Sequence, residues 1–400
     1  MALAARCGEI VLPLSDSSLL AHWGDPHPSD LADLLEHRRA ANQPVLDLIS
    51  ANPHEHGLQF DAALLSKILG EAVAETRVYR PDARGQFAAR RAIADYHGSV
   101  SAEQIILTPG TSFGYWCTFR LLGNPGDEIL CPQPTYPLFD DLARLAGLGV
   151  RRYHLERVGG RWGIDAAEVE FQITPRTRAI VVVSPHNPTG SVASESEIRA
   201  LAALARRHGL ALIFDEVFRE WVHDGSAVPR PGANDFPLIL TLNGLSKMLS
   251  LPGLKAGWMV VEGDKVQRER FLNAAEYLSD SFLPVSEITQ AAIPPLLREG
   301  QGEMRRLGDT YRNRMVAMVA KARESGMDCT APQAGPYLLL PLPDEVNEEQ
   351  FALGLVKNHG IVSHPGAFYG LPPSGLVATC VHEPPWPFDT IAEEISRFVA

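Results

Sequence analysis

The sequence predicts an α/β protein: a large domain built on a mostly parallel sheet sandwiched by helices, with a smaller α/β C-terminal domain. Three observations carry this. From about residue 45 to 285, short β-branched runs alternate with longer helical ones, the order that lays helices over both faces of a parallel sheet. Runs such as Ala179-Ile180-Val181-Val182-Val183 are apolar without interruption, as strands covered on both faces are. After residue 285 the alternation gives way to one long amphipathic segment followed by short strands.

In the first region the strand candidates are Gln104–Thr108, Glu128–Cys131, Ala179–Ser184, Ala211–Asp215, Leu238–Leu242 and Gly257–Val261. Helical stretches lie between them at Ser112–Leu122, Tyr136–Ala146 and Ser194–Arg207. The last opens with a capping-box pair, Ser194 and Glu197. In the second region the periodicity predicts a long helix over Glu303–Glu324 and strands near Tyr337–Leu340 and Gly375–Val381, with helices at 348–357 and 388–399. Four hundred residues exceed one core of ordinary size. The expected division is residues 46–285 for the large domain and residues 1–45 plus 286–400 for the small one. A crevice between two such lobes is a natural ligand site.

A net charge of −12, with no long basic run, argues against a nucleic-acid surface. The five cysteines are scattered and form no C-x-x-C pair, so neither a disulfide framework nor a zinc site is indicated. No apolar run approaches the roughly 18 residues that span a bilayer, and the N-terminus has no signal-peptide pattern. The expected location is the cytoplasm.

Four segments fall at the C-terminal ends of predicted strands, where open α/β sheets place their ligands. They are Thr108-Pro109-Gly110-Thr111-Ser112, Ser184 to Gly190 (SPHNPTG), Asp215-Glu216-Val217-Phe218 and Gly244-Leu245-Ser246-Lys247. Each alone is an ordinary cap, turn or surface group. Their order says more. Asn187, Asp215 and Lys247 stand about 28 and 32 residues apart, near the length of one β-α crossover. Adjacent parallel strands would then gather an amine, a carboxylate and an amide beside an anion-binding helix N-terminus. A pyridine phosphate aldehyde asks for that set: the amine forms an imine, and the carboxylate keeps the ring nitrogen protonated.

Six motifs in order, Y-x-P-x-x-x-G at 79–85, P-G-D-E at 125–128, P-T-Y-P at 134–137, N-P-T-G at 187–190, D-E-V-F at 215–218 and S-K-x8-G-W at 246–258, resemble those of the class I/II aminotransferases. These are the fold-type-I pyridoxal 5'-phosphate enzymes of the aspartate-aminotransferase type. The resemblance runs from about Leu46 to the C-terminus. It implies that Lys247 is the Schiff-base lysine and the acid/base at the substrate Cα, that Asp215 pairs with the pyridine nitrogen, and that Asn187 donates to the ring's O3′ oxygen. Tyr136 would stack on the ring, completing the catalytic set of Lys247, Asp215 and Tyr136. Thr111, Ser112, Ser246 and Lys255 would cup the phosphate. Tyr79 would reach the phosphate of a neighbouring subunit, which implies a homodimer with shared active sites.

Four positions depart from the family pattern. Phe218 stands where a tyrosine usually bonds O3′, so the cofactor imine is expected to titrate at higher pH than in the tyrosine type. Lys255 replaces an arginine and keeps its charge without the fork. Gly244 replaces a serine of the phosphate cup. The arginine that usually holds the substrate α-carboxylate aligns with Ala378, and no arginine occurs anywhere from 324 to 396. The carboxylate is then held by Asn187 and backbone groups or by an arginine elsewhere, or the substrate lacks one. Asn52 and His56, in the stretch Asn52-Pro53-His54-Glu55-His56-Gly57 that matches the family's N-terminal substrate loop, and His382, just past the Ala378 strand, are the further substrate candidates. No metal site is claimed.

The reading favoured is an aminotransferase that moves an amino group between an amino acid and an oxo acid. The alternative keeps the cofactor and changes the outcome: a lyase, decarboxylase or oxidative deaminase of an unusual amino acid. A regulator fusing this fold to a winged helix would need a basic segment of some 70 residues ahead of it, and only about 45 residues precede Leu46.

Overall fold

The computed structural model describes residues 30–399 apart from 51, 233, 373 and 374. Its strands, in chain order, are β1 (Leu46–Asp47), β2 (Ile105–Thr108), β3 (Glu128–Gln133), β4 (Gly149–Val158), β5 (Arg161–Ile164), β6 (Thr177–Val183) and β7 (Ala211–Asp215), followed by β8 (Leu238–Gly244), β9 (Gly257–Gly263), β10 (Tyr337–Pro341), β11 (Ile361–Val362), β12 (His364–Pro365) and β13 (Gly375–Thr379). Eight form the large sheet, in the order β2-β9-β8-β7-β6-β3-β4-β5. The central pairs β8-β7, β7-β6, β6-β3 and β3-β4 are parallel. β9 runs antiparallel to both β2 and β8, and β5 runs antiparallel to β4.

The uninterrupted apolar strands are buried on both sides, as expected. In β6, Ala179, Val181 and Val183 join one apolar cluster with Phe119 and Phe139, while Ile180 and Val182 join another with Leu201 and Phe214. Successive side chains alternate across the sheet, so both faces must be covered. A third cluster sets Ile105, Leu107, Trp258 and Val260 of the β2–β9 edge against helices Ala62–Glu75, Phe87–His97 and Glu287–Glu299. The apolar core of the large sheet therefore extends past residue 285 to the end of that helix.

The helix Gln301–Glu324 turns one face to the core of the smaller lobe, where Leu307, Tyr311, Met315, Met318 and Ala322 pack with β10, β13 and helix Phe388–Val399. β13 lies between β10 and β12 in a three-stranded antiparallel sheet. β1 pairs parallel with β11, and helix Asp30–Ala40 packs on helix Glu348–His359, which brings the segment before Leu46 to the smaller lobe from residue 30 onward. Residues 1–29, also assigned to that lobe by the sequence, lie outside the described residues.

One sequence expectation shifts in register. The helix placed at Tyr136–Ala146 begins at Phe139. Tyr136 precedes Pro137, whose ring disfavours helical geometry in the residue before it. The pair β4–β5 lies in a stretch whose charged residues hid the strand pattern. Among the described residues no helix is long and apolar enough to cross a membrane.

Candidate active site

The register of the central strands places the site. Asp215 pairs opposite Val183 and Leu242, and two hydrogen bonds carry the alignment beyond the strand ends: Ser184 N donates to Asp215 O at 2.9 Å and Glu216 N to Leu242 O at 3.1 Å. The loop with Asn187, the carboxylate of Asp215 and the short helix with Lys247 (Leu245–Met248) therefore leave the sheet at one edge.

At that edge Gly257 of β9 pairs with both Thr108 and Gly244. A Cβ on Gly257 would come within 3.0 Å of Gly110 Cα, and one on Gly244 within 2.8 Å of Ala256 O. At Gly244 and Gly257 the backbones meet with no room for side chains, while Gly110 faces open space. Gly110 caps the helix Thr111–Leu122, whose first-turn N–H groups lack helical acceptors and attract an anion. Thr111 and Ser112 open this helix, Ser246 is second in the Leu245–Met248 turn, and Lys255 is exposed with φ 51° and ψ 51°. That left-handed backbone is uncommon for a side-chain-bearing residue.

Asp215 is 7% exposed. Its Oδ2 accepts from the Tyr115 hydroxyl at 2.8 Å and its Oδ1 from Val217 N at 3.0 Å. Burial pushes its pKa up to about 6, against the pull of those two hydrogen bonds and of Lys247. Burial also lowers the Lys247 pKa, and the Asp215 carboxylate opposes that shift. Among the described residues no hydrogen bond or ion pair engages the Lys247 amine.

The Tyr136 ring is 42% exposed and lies in the field of Asp215. Asn187 is buried and its Oδ1 has no hydrogen-bond partner. The Tyr337 hydroxyl faces the Asn187 carboxamide, and burial raises its pKa to about 12. Phe218 is buried against Trp221 and Tyr337, with ring centroids 5.1 and 6.4 Å away.

The Aminotransferase class I and II family pattern matches residues 48–384. The chain belongs to that family. It is 29% identical over 378 residues to the alanine aminotransferase of Mycobacterium tuberculosis, covering 90% of this chain and 86% of the relative. It is 30% identical over 306 residues to the glutamate-pyruvate aminotransferase of Escherichia coli, covering 74% of each. Among solved structures, an aminotransferase from Escherichia coli superposes with a TM-score of 0.82 at 25% identity, covering 97% of this chain and 98% of that one.

Within this aminotransferase the structure explains one departure noted in the sequence. A serine at 244 would drive its Cβ into the backbone of Ala256 and Gly257, so the missing hydroxyl follows from the close approach of β8 and β9. Ala378 is buried in the smaller lobe's apolar cluster, opposite Leu338.

The substrate candidates are less concentrated. Asn52 caps the turn Pro53–His56, accepting from His54 N and donating to Glu55 Oε1 at 2.8 Å. His54 Nε2 lies 2.5 Å from Ser250 O, which anchors the loop one turn beyond Lys247. His56 and His382 meet each other, ring centroids 4.9 Å apart, beside Arg314, which bonds His56 O, Val381 O and Glu383. Neither imidazole touches the Lys247–Asp215 pair. Tyr79 is 68% exposed. Among the described residues no group of three or more His, Cys, Asp or Glu side chains could hold a metal ion.

Sequence reasoning missed two sets of residues. Tyr115 follows Thr111 by one helical turn on the same face, a spacing from which its reach to Asp215 could have been read. The second set lies behind Asp215. Glu216 is fully buried and takes a two-pronged bond from Arg230, Nε to Oε2 at 2.9 Å and Nη2 to Oε1 at 2.8 Å. Asn243 Nδ2 and Arg219 Nη1 add contacts at 3.3 and 3.4 Å, and His97 Nδ1 lies 3.8 Å away. Trp258 Nε1 donates to His97 Nε2 at 2.9 Å. An indole N–H can only donate, so His97 is the neutral tautomer with its proton on Nδ1, toward Glu216.

Proposed function

We propose that this aminotransferase uses pyridoxal 5'-phosphate to exchange an amino group between an amino acid and an oxo acid, with Lys247 as its imine-forming and proton-moving residue. One observation carries the reading: an unpartnered, half-buried amine shares the end of the sheet with a buried carboxylate. The rest of the pocket fits the coenzyme. The open space at Gly110, ahead of the helix N-terminus, leaves room for a phosphate, and the buried Asn187 carboxamide has an atom left without a partner.

When bound, pyridoxal phosphate supplies an aldehyde for the amine and an electron sink for the carbanion at Cα. Thr111, Ser112, Ser246 and Lys255 would hold its phosphate at the helix N-terminus, and Asn187 would bond its phenolic oxygen. Asp215 would hold a proton at the ring nitrogen, and Tyr115 and Val217 keep its carboxylate aimed. Tyr136 would cover the ring face beside Asp215. Lys247, with its pKa lowered by burial, is suited to take a proton from the substrate Cα and return it. The exposed Tyr79 would serve the phosphate of a partner subunit, making the protein a homodimer with shared sites.

The named relatives are aminotransferases, which supports transfer over elimination, decarboxylation or oxidation of the same substrates. The test is to supply the purified protein with pyridoxal phosphate, a panel of amino acids and pyruvate. Formation of alanine with the matching oxo acid supports transfer. Release of ammonia or carbon dioxide without alanine overturns it.

A further inference from the structure

Without an arginine between 324 and 396, the family's usual fork for an α-carboxylate is absent. Three arginines of neighbouring segments are already engaged. Arg314 is bound to Glu383 and two carbonyls. Arg157 and Arg161, which share a cavity wall with Thr189 and Tyr337, bond Thr330 in one case and Val192 O and Glu197 in the other.

Neutral donors stand at the site instead. Tyr337 opens β10 and pairs with Thr379, the neighbour of Ala378. Its ring packs against Phe218 and Tyr369, at centroid distances of 6.4 and 6.1 Å. Its hydroxyl lies within hydrogen-bond reach of the Asn187 carboxamide. Tyr369 stands behind, its hydroxyl 3.1 Å from His364 Nδ1.

We infer that Tyr337, together with Asn187, takes the place of the family's arginine and holds the substrate's α-substituent by neutral hydrogen bonds. This rests on the aminotransferase reading and deepens it. The substrate class becomes α-amino compounds carrying a hydrogen-bond acceptor on Cα, carboxylate or carboxamide alike. An arginine fork is built for a carboxylate and rewards its full charge. A phenol and a carboxamide donate to either acceptor, so discrimination between them is weak.

The test measures dissociation constants of the loaded protein for 2-methylalanine and its carboxamide, which have no Cα proton to lose, beside KM and kcat for alanine and alaninamide. The expected carboxylate preference is under about tenfold. Tyr337→Phe keeps the ring packing and is expected to weaken binding of both ligands about ten- to a hundredfold, raising KM with little change in kcat. A carboxylate preference above about a hundredfold, or a Tyr337→Phe protein that binds as tightly as the parent, overturns the inference. Amino-group transfer to pyruvate in the same samples keeps its failure separate from failure of the aminotransferase reading.

Discussion

Removing Arg230 should strand the buried Glu216 charge. The carboxylate is fully buried, while the Arg230 side chain keeps 26% exposure. Truncating one partner of a buried ion pair costs about 3–5 kcal/mol. Part of that is lost here to the solvent at Arg230, and part is offset by Asn243 and Arg219 at 3.3 and 3.4 Å. Arg230→Met is therefore expected to destabilise the protein by about 3 kcal/mol, read from urea denaturation of the cofactor-free form. The double variant Glu216→Met with Arg230→Met removes both charges and should return to within about 1 kcal/mol of the parent, since well-packed apolar groups replace a buried pair at little cost. A loss below about 1 kcal/mol for the single variant would refute this reasoning. So would a double variant no more stable than the single.

Three further outcomes follow from the same interior. Asp215 has a folded pKa near 6, above the unfolded value, so its burial stabilises the protein at low pH and costs about 3 kcal/mol above pH 6. Asp215→Asn should raise the unfolding midpoint of the cofactor-free protein at pH 8 but not at pH 4, while abolishing activity; equal effects at both pH values contradict this. His97 is held down to about 4 by burial, so stability should fall as pH drops from about 6.5 to 4, by about 3 kcal/mol. His186, held down to about 3, adds to the same window. His97→Gln should flatten part of that slope, and an unchanged slope sinks the assignment. In the loaded protein, Phe218→Tyr should lower the pH at which the visible absorption band titrates; no shift would mean that the missing hydroxyl is not felt.

The large sheet was legible because its strands are apolar on both faces, and Asn187, Asp215 and Lys247 because strand ends in a parallel sheet are separated by one crossover each. What was hidden depends on pairings between distant segments. Nothing near Tyr337 in the chain announces that it meets Asn187, 150 residues earlier. The Glu216 network was half visible as the Asp-Glu pair at 215–216, but its partners at 97, 230 and 243 converge only in the fold. The two histidines at 56 and 382 were singled out as substrate contacts, and the fold brings them to each other. Gly244 read as a lost hydroxyl donor, and the close pairing of β8 with β9 shows it to be a packing requirement.

The claim on which the rest depends is that Lys247 is the amine that captures the coenzyme. Borohydride reduction of the pyridoxal-phosphate-loaded protein, followed by peptide mapping, tests it most directly. The expected result is one pyridoxyl group per chain on Lys247 and none on a Lys247→Ala variant. A label on Lys255 or another lysine, or an equally labelled variant, would contradict the account.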